Sequence, residues 1–231
     1  MAWYAKASGL YLPSSSEAIA NVNEIYNILS YASTWSTNNP YDWTLNAVCA
    51  LLGSVENESG YNPWRWQDDY VPSYAEYLDW VTNYQPNHAY GLIQFDPAAT
   101  YIQNALSYTG VQQTANFSDI TGTPQDGENQ IKFVVEEMSS EWYDFTGRYP
   151  ITFQQFATGN YNLYDLTAAW VLNYERPSGY DDPSIIDPEI QSRYNVAAYW
   201  YNYLSGHPPT PPTPPTSKHK MPLWMMLRHY Y

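Results

Sequence analysis

The residue with the clearest chemical potential is Glu58, which stands where an apolar run stops. Leu51-Leu52-Gly53-Ser54-Val55 precedes it, and Ser59-Gly60 follows it. A carboxyl group held at a helix end beside apolar side chains loses hydration, which raises its pKa because the charged form is disfavoured. Such a group keeps its proton near neutral pH and can donate it to a leaving sugar oxygen. The sequence therefore predicts Glu58 as a general acid. The alternative is an ordinary exposed glutamate at a helix end.

A second acidic residue, Glu56, lies close to Glu58 in the sequence but not on the same side of the predicted helix. Residues two positions apart on an α-helix point about 200° away from each other, so the two side chains diverge. Glycosidases commonly need a second carboxylate, which acts as a base or as a nucleophile. It must then come from elsewhere in the chain, where the candidates are Asp68, Asp69, Asp79 and Asp96.

Helical periodicity recurs along the chain and predicts a mainly α fold. Ser14 and Glu17 have the spacing of a capping box, which indicates a first helix starting there. Asp96-Pro97 and Thr123-Pro124 each combine an N-cap residue with a first-turn proline. Together these patterns predict helices from about Ser14, from about Thr44 through Glu58, over 97–108, from Pro124, over 164–175, and from about Ile190 to a stop at Gly206.

Residues 60–95 lack helical periodicity and are rich in Trp, Tyr, Asp and Pro. Long stretches without regular elements are uncommon in compact domains and are often functional. We expect this stretch to form a long irregular or small β segment after the helix that carries Glu58. The sequence does not indicate a role for its central part, residues 64–88.

Composition limits the classes of partner. The net charge is −14, so a basic surface that could neutralise the phosphates of nucleic acid is not expected. Aromatic residues make up 18% of the chain, including 25 Tyr and 10 Trp, and such flat, amphipathic side chains suit sugar rings. The single cysteine, Cys49, excludes an intramolecular disulfide. The four histidines have no metal-ligand spacing, so neither a metal nor a cofactor is predicted.

The C-terminal part of the chain differs from the rest. Residues 207–217 repeat Pro-Pro-Thr and predict a semi-rigid spacer, which leaves residues 1–206 as the catalytic domain. Residues 218–231 are basic and apolar, unlike the acidic domain before them. A solvated tail does not normally expose so much apolar surface, so this segment is predicted to dock onto a partner. Membrane contact and a disordered end are the alternatives.

Five segments, in this order, resemble the phage tail lysozyme family of the lysozyme-like superfamily. They are residues 47–53, the segment Glu58-Ser59-Gly60-Tyr61-Asn62-Pro63, the segment Tyr90-Gly91-Leu92-Ile93-Gln94, the segment Tyr174-Glu175-Arg176-Pro177, and the closing helix 199–206. The resemblance spans roughly residues 17–206 and implies a lysozyme-like helical fold. It is weakest over residues 64–88, which look like an insertion.

The resemblance also assigns roles to residues. It implies that Glu58 is the catalytic acid and that Tyr61, Tyr90 and Gln94 bind the glycan. Gln94 is equally interpreted as a structural bridge. Glu175 either contacts the site or forms a buried pair with Arg176, and the structural role is the first expectation.

The function that the resemblance implies is cleavage of peptidoglycan by a muramidase at the phage tail tip during cell entry. Its partners would be the bacterial wall and other tail proteins, the latter bound through residues 218–231. A strongly acidic enzyme receives no electrostatic steering towards an anionic wall, which fits delivery by a virion. Two alternatives stay open: a lytic transglycosylase that uses the same glutamate, and an inactive wall-binding or structural tail protein.

Overall fold

The helix that carries Glu58 lies at the centre of the fold, with other helices packed around it. The computed structural model describes residues 3–109, 124–143 and 148–209, and it confirms the mainly α prediction. In chain order the helices are α1 (Ser16–Ser30), α2 (Leu45–Ser59), α3 (Tyr74–Thr82), α4 (Ala99–Thr109), α5 (Pro124–Glu141), α6 (Phe153–Thr158), α7 (Leu163–Trp170) and α8 (Pro183–Ser205).

Helix α2 forms where the sequence places it because both of its ends are capped. The side chain of Thr44 accepts a hydrogen bond from the amide of Ala47 at the start. At the other end Gly60 adopts the left-handed conformation with φ 53°, and its amide donates to the carbonyl of Glu56. Glycine is favoured there because a side chain would be strained at positive φ. The helix therefore stops just after Glu58 and leaves that residue in the final turn.

Helices α2 and α8 pack at close range because α2 carries Gly53 at the crossing point. A Cβ atom at Gly53 would collide with the main-chain carbonyl oxygen of Arg193 on α8. Ala197, one turn further along α8, lies beside the same glycine. The absence of a side chain at Gly53 thus sets the distance between the middle of α2 and the middle of α8.

The first helix begins one residue later than its sequence signature suggests. The N-cap is Ser15, whose hydroxyl accepts a hydrogen bond from the amide of Ala18 at 3.1 Å. The capping-box prediction that started from Ser14 is therefore displaced by one position. Helix boundaries commonly shift by a residue or two in this way, since neighbouring serines offer equivalent caps.

The segment after α2 is irregular, as predicted, but it contains a helix that the sequence analysis missed. Isolated antiparallel bridges join Trp66 to Tyr90 and Tyr90 to Phe95, and these are the β structure that the described segment contains. Between Trp66 and Tyr90 the chain forms α3, which begins at a capping box. The hydroxyl of Ser73 accepts a hydrogen bond from the amide of Glu76, and the carboxylate of Glu76 accepts one from the amide of Ser73. The signal was present, because Tyr74, Tyr77, Leu78 and Val81 recur at helical spacing after this capping box, although residues 60–95 as a whole show no such period.

The predicted helix over 164–175 is present but changes geometry along its length. Helix α7 ends at Trp170, and the chain continues as one π-helical turn, Val171–Glu175. The turn closes with a hydrogen bond from the amide of Arg176 to the carbonyl of Val171 at 2.8 Å. Such wide turns often occur at functional sites, since they redirect the side chains that follow.

The end of the domain packs against its own last helix. The ring of His207 stacks on Tyr203 with centroids 4.2 Å apart, and the hydroxyl of Tyr31 donates to the carbonyl of Pro209. The remainder of the proline-rich spacer and the predicted docking segment 218–231 lie outside the described residues. Within the described ranges, the helices are too short or too polar to cross a lipid bilayer.

Candidate active site

Glu58 opens onto a groove of about 360 Å³. The groove is formed where the end of α2 meets the Ile93–Asp96 loop, the C-terminal half of α5, the π turn and α8. Its walls are strongly acidic. The carboxyl groups that line it belong to Glu58, Asp96, Glu137, Glu141, Glu175 and Glu189, and the cationic groups belong to Arg176 and Arg193.

Arg193 connects three of these carboxylates from the buried face of α8. Its Nη2 atom lies 3.0 Å from Oε1 of Glu58 and 3.1 Å from Oε2 of Glu175. Its Nη1 atom lies 2.5 Å from Oε1 of Glu189. The Glu175 contact is an ion pair without hydrogen-bond alignment, since Oε2 of Glu175 accepts no hydrogen bond from the described residues. One guanidinium group therefore contacts three carboxyl groups.

This imbalance of charge favours a proton on Glu58. Burial, and then the negative charge of Glu175, raise the pKa of the Glu58 carboxyl, Arg193 lowers it, and the net value is about 7. The side chain nevertheless stays 29% exposed on the groove side. The acid is thus partly protonated at neutral pH and accessible to a bound molecule, and both properties are required of a general acid.

Neither Arg193 nor Glu189 was identified from the sequence. A signal was present, because Arg193 falls on the apolar stripe of α8, which consists of Ile186, Ile190, Ala197, Trp200 and Leu204. An arginine at a core-facing position is rarely left without an acidic partner. The stripe therefore pointed to a buried ion pair with Arg193, although it did not show which acids would take part.

Glu175 reaches the site because of the π turn. Its Oε1 atom accepts a hydrogen bond from the indole N–H of Trp170 at 3.0 Å, and its other oxygen faces Arg193. The expected alternative partner, Arg176, is directed elsewhere: it lies 3.8 Å from Glu141 and over the ring of Tyr143. Glu175 is therefore both a groove residue and part of a buried ion pair, with Arg193 as the partner.

Gln94 forms the structural bridge that was one of the two roles expected for it, and it also lies at the groove. It lines the groove beside Glu58. Its amide nitrogen also donates to the carbonyls of Arg65 and Gly91, at 3.0 and 2.9 Å. These bonds hold the Gly91–Gln94 turn in place, so the bridging role is occupied in this structure.

Tyr61 and Tyr90 lie in the core and do not line the groove, contrary to the glycan-binding role expected for them. Tyr61 is 0% exposed, accepts a hydrogen bond from the indole of Trp200, and donates to Glu56. Tyr90 is 1% exposed, and its hydroxyl donates to Asp126 at 2.8 Å. In both cases a buried hydrogen-bond partner satisfies the hydroxyl and keeps the ring directed inwards.

A buried network around Asp126 holds the groove loop against α5. The carboxylate of Asp126 accepts hydrogen bonds from Tyr90, Tyr101 and Gln130. Gln130 in turn accepts from the amide of Leu92 at 2.7 Å. Gly91 has φ +93°, and a Cβ atom there would lie 2.6 Å from Oε1 of Gln130. This position therefore requires glycine, both for its conformation and for its contact with Gln130.

Comparison with known proteins places this arrangement in a family. The sequence model of the phage tail lysozyme family matches residues 27–204, a range that contains every residue lining the groove. The chain belongs to the phage tail lysozyme family. This confirms the resemblance inferred from the five sequence segments.

A relative has been described from a phage. Morphogenesis protein 1 of Bacillus phage B103 is 25% identical over 174 residues, which cover 74% of this chain. The match spans only 38% of the length of that relative. The similarity therefore concerns one part of a larger protein.

Within this lysozyme-family domain, the structure separates the four aspartates that were candidates for a second carboxylate. Asp96 lines the groove. Asp69 pairs with Arg65 at 3.0 Å, and Asp79 accepts a hydrogen bond from Asn83. Asp68 lines a different cavity. Of the four, Asp96 is therefore placed in the groove with Glu58.

The groove contains one further unusual acid, Glu137, which the sequence analysis did not single out. It is 7% exposed, and the hydroxyl of Tyr174 donates to its Oε1 atom at 2.9 Å. Burial raises the pKa of Glu137 to about 8. Its carboxyl is therefore mainly protonated at neutral pH. Across the described parts of the chain, no cluster of His, Cys, Asp or Glu side chains is arranged to hold a metal ion.

Proposed function

We propose that this domain is a peptidoglycan glycosidase of the muramidase type, with Glu58 as the general acid. The observation that carries the proposal is the Glu58 carboxyl itself: it faces a groove, contacts Arg193 at 3.0 Å, and has a pKa raised to about 7 by burial. Family membership supports a wall-degrading activity but does not identify the acid.

In the proposed reaction the proton of Glu58 moves to the glycosidic oxygen while the bond from that oxygen to the anomeric carbon breaks. Water then attacks the anomeric carbon and loses a proton to a carboxylate. We assign that base to Asp96, because the other groove carboxyls are engaged. Glu137 retains its own proton, Glu175 and Glu189 are ion-paired with Arg193, and Glu141 lies 3.8 Å from Arg176. Arg193 is a positioning residue, since its Nη2 atom donates a hydrogen bond to Oε1 of Glu58 that the neutral carboxyl can also accept.

The proposed setting is the phage tail, acting on the host wall during entry. The family description and the phage origin of the relative support this setting. Attachment to other tail proteins through residues 218–231 stays a prediction from the sequence.

Replacing Glu58 with Gln tests the proposal, and Glu56→Gln is the matched control. Both residues lie in the last turns of α2, but Glu56 bonds to Tyr61 and does not line the groove. Glu58→Gln removes the transferable proton and should lower the rate of digestion of purified peptidoglycan by about 10²-fold or more. Glu56→Gln should digest at close to the native rate. Native-rate digestion by Glu58→Gln would disprove the assignment.

The released fragments identify the reaction. Hydrolysis leaves reducing sugar ends, whereas attack by the substrate's own hydroxyl leaves anhydro-muramyl ends. We expect mass spectrometry to find reducing ends. Anhydro ends would make the domain a lytic transglycosylase, and undigested walls would favour a structural or wall-binding tail protein.

A further inference from the structure

A second cavity lies on the 64–88 insertion, outside the groove that contains Glu58. Its volume is about 360 Å³, similar to that of the groove. One part of its wall is aromatic and consists of Trp66, Tyr70 and Trp80. The rings of Trp66 and Tyr70 lie 5.6 and 5.9 Å from Trp80, and Tyr70 is 52% exposed. Tyr70 is thus the ring of this wall that is most open to solvent, whereas the ring of Trp66 is buried.

The rest of the wall is polar and can form hydrogen bonds. It consists of Gln67, Asp68, Glu76, Asn87 and His88. Amide and carboxylate side chains are suited to the hydroxyl and acetamido groups of sugars, which both donate and accept. Among the eight described residues that line the cavity, none is Lys or Arg, and two are acidic. This charge disfavours phosphates and other anions, and the aromatic ring beside hydrogen-bonding groups suits a neutral polar ligand.

The polar wall is held in position before any ligand binds. The hydroxyl of Tyr70 donates to Glu76 at 2.8 Å, and Glu76 is also fixed by the amide of Ser73 at 2.8 Å. Gln67 accepts a hydrogen bond from the amide of Ala89, and the ring of His88 stacks on Trp80 at 3.7 Å. Fixing these groups lowers the entropy cost of binding.

The second cavity is next to the groove. His88 lines the cavity, and its amide donates to Asp96, which lines the groove. A polymer that enters one is therefore close to the other. A second contact on the same strand increases the effective concentration of the strand at the first.

We propose that the insertion cavity is a binding site for a neutral N-acetylhexosamine segment of a glycan strand, separate from the bond-cleaving groove. The chemical class of the ligand rests on the proposed function, whereas the site itself rests on the aromatic and polar walls. It binds intact strand and anchors it beside Glu58, so it contributes most with long substrates.

A binding measurement tests this site independently of catalysis. The full chain carrying Glu58→Gln is titrated with the hexamer of N-acetylglucosamine, and binding is followed by calorimetry. Adding Tyr70→Ala should weaken binding about fivefold, because an exposed ring of the cavity wall is lost. Tyr84→Ala is the matched control, since Tyr84 is an exposed tyrosine (44%) of the same insertion that does not line the cavity.

Asn87→Gly serves as a second variant and should also weaken binding, because it removes a polar group from the rim and keeps the left-handed backbone of this position (φ 62°). Equal affinity for the Tyr70→Ala, Asn87→Gly and Tyr84→Ala proteins would overturn the proposal. With Glu58 restored, Tyr70→Ala should slow digestion of long strands and leave cleavage of short oligosaccharides unchanged. An equal effect on both lengths would also contradict a separate anchoring site. A failure of Glu58→Gln to abolish digestion would refute the assignment of the acid but not the binding result.

Discussion

Two acidic clusters in this molecule are built from similar groups but differ in access to solvent. Asp126 is 0% exposed, and its carboxylate accepts hydrogen bonds from the neutral donors Tyr90, Tyr101 and Gln130. Glu58 is 29% exposed in side-chain area and faces Arg193, which also serves Glu175. Burial raises the pKa of both acids, to about 6 for Asp126 and about 7 for Glu58.

Asp126 and Glu58 both have a raised pKa but differ in access, so a raised pKa alone does not identify a catalytic group. The Asp126 carboxyl has no route to a ligand, because three side chains cover its oxygens and link it to the Gly91–Gln94 turn. The Glu58 carboxyl has a similar affinity for its proton but opens onto a groove. Both raised values have the same consequence for stability. Each group favours the folded state most below its ordinary pKa, and this contribution is lost as pH rises through the folded-state pKa.

The largest effect is expected from Arg193→Gln, which removes the only cation that contacts the Glu58 carboxyl among the described residues. Three acids then face one another without compensation. At pH 8 the free energy of unfolding should fall by about 3 kcal/mol. At pH 5 the loss should be smaller, because the folded protein takes up protons and the repulsion decreases. Urea unfolding at the two pH values measures the difference, and an equal loss at both would contradict the account of shared charge.

Asp126→Ala should have a somewhat smaller effect, of another kind. It leaves the buried donors of Tyr90, Tyr101 and Gln130 without their acceptor, which should cost about 2 kcal/mol of unfolding free energy. Glu58→Gln serves as the comparison. It should change the unfolding free energy at pH 5 by less than about 1 kcal/mol, because water in the groove can bond to the groups that Glu58 contacts. If both variants lose the same stability, the distinction between a sealed and an open cluster is wrong.

The smallest effect concerns the pH dependence of activity. Burial and then Glu175 contribute most to the raised pKa of Glu58, and Glu189 contributes least. Glu189→Gln should therefore lower the Glu58 pKa slightly. The alkaline limb of the kcat/KM profile, expected near pH 7 because Glu58 must be protonated, should then move to lower pH. Asp187→Asn on the same helix is the control, because Asp187 pairs with Arg148 away from the groove. A shift to higher pH would exclude this arrangement of charges.

The parts of the site that could be predicted from the sequence are those fixed by local rules. A capped apolar helix that ends at Gly60 places Glu58 in its last turn, and helical geometry turns Glu56 to the other side. The Gly91–Gln94 segment lies near Glu58 in the structure, since Gln94 lines the same groove and holds the turn through its bond to Gly91.

The parts that could not be predicted depend on contacts between distant segments. Arg193 meets Glu58 across 135 positions of sequence, and no local pattern specifies that pairing. The direction of Tyr90 depends on a buried acceptor, Asp126, which looks like an ordinary polar residue of the first turn of α5. Glu175 faces the site only because the backbone widens into a π turn, and helical periodicity does not reveal such a turn.

Gly53 has no charge and no side chain, yet it sets how closely α8, the helix that carries Arg193, approaches Glu58. A larger residue at this position would push α8 away from α2 and weaken the contact of Arg193 with Glu58, without altering any ionisable group. The pKa of Glu58 therefore depends partly on the spacing of two helices. Changing that spacing is a way to alter the pH range of activity while every residue that lines the groove stays the same.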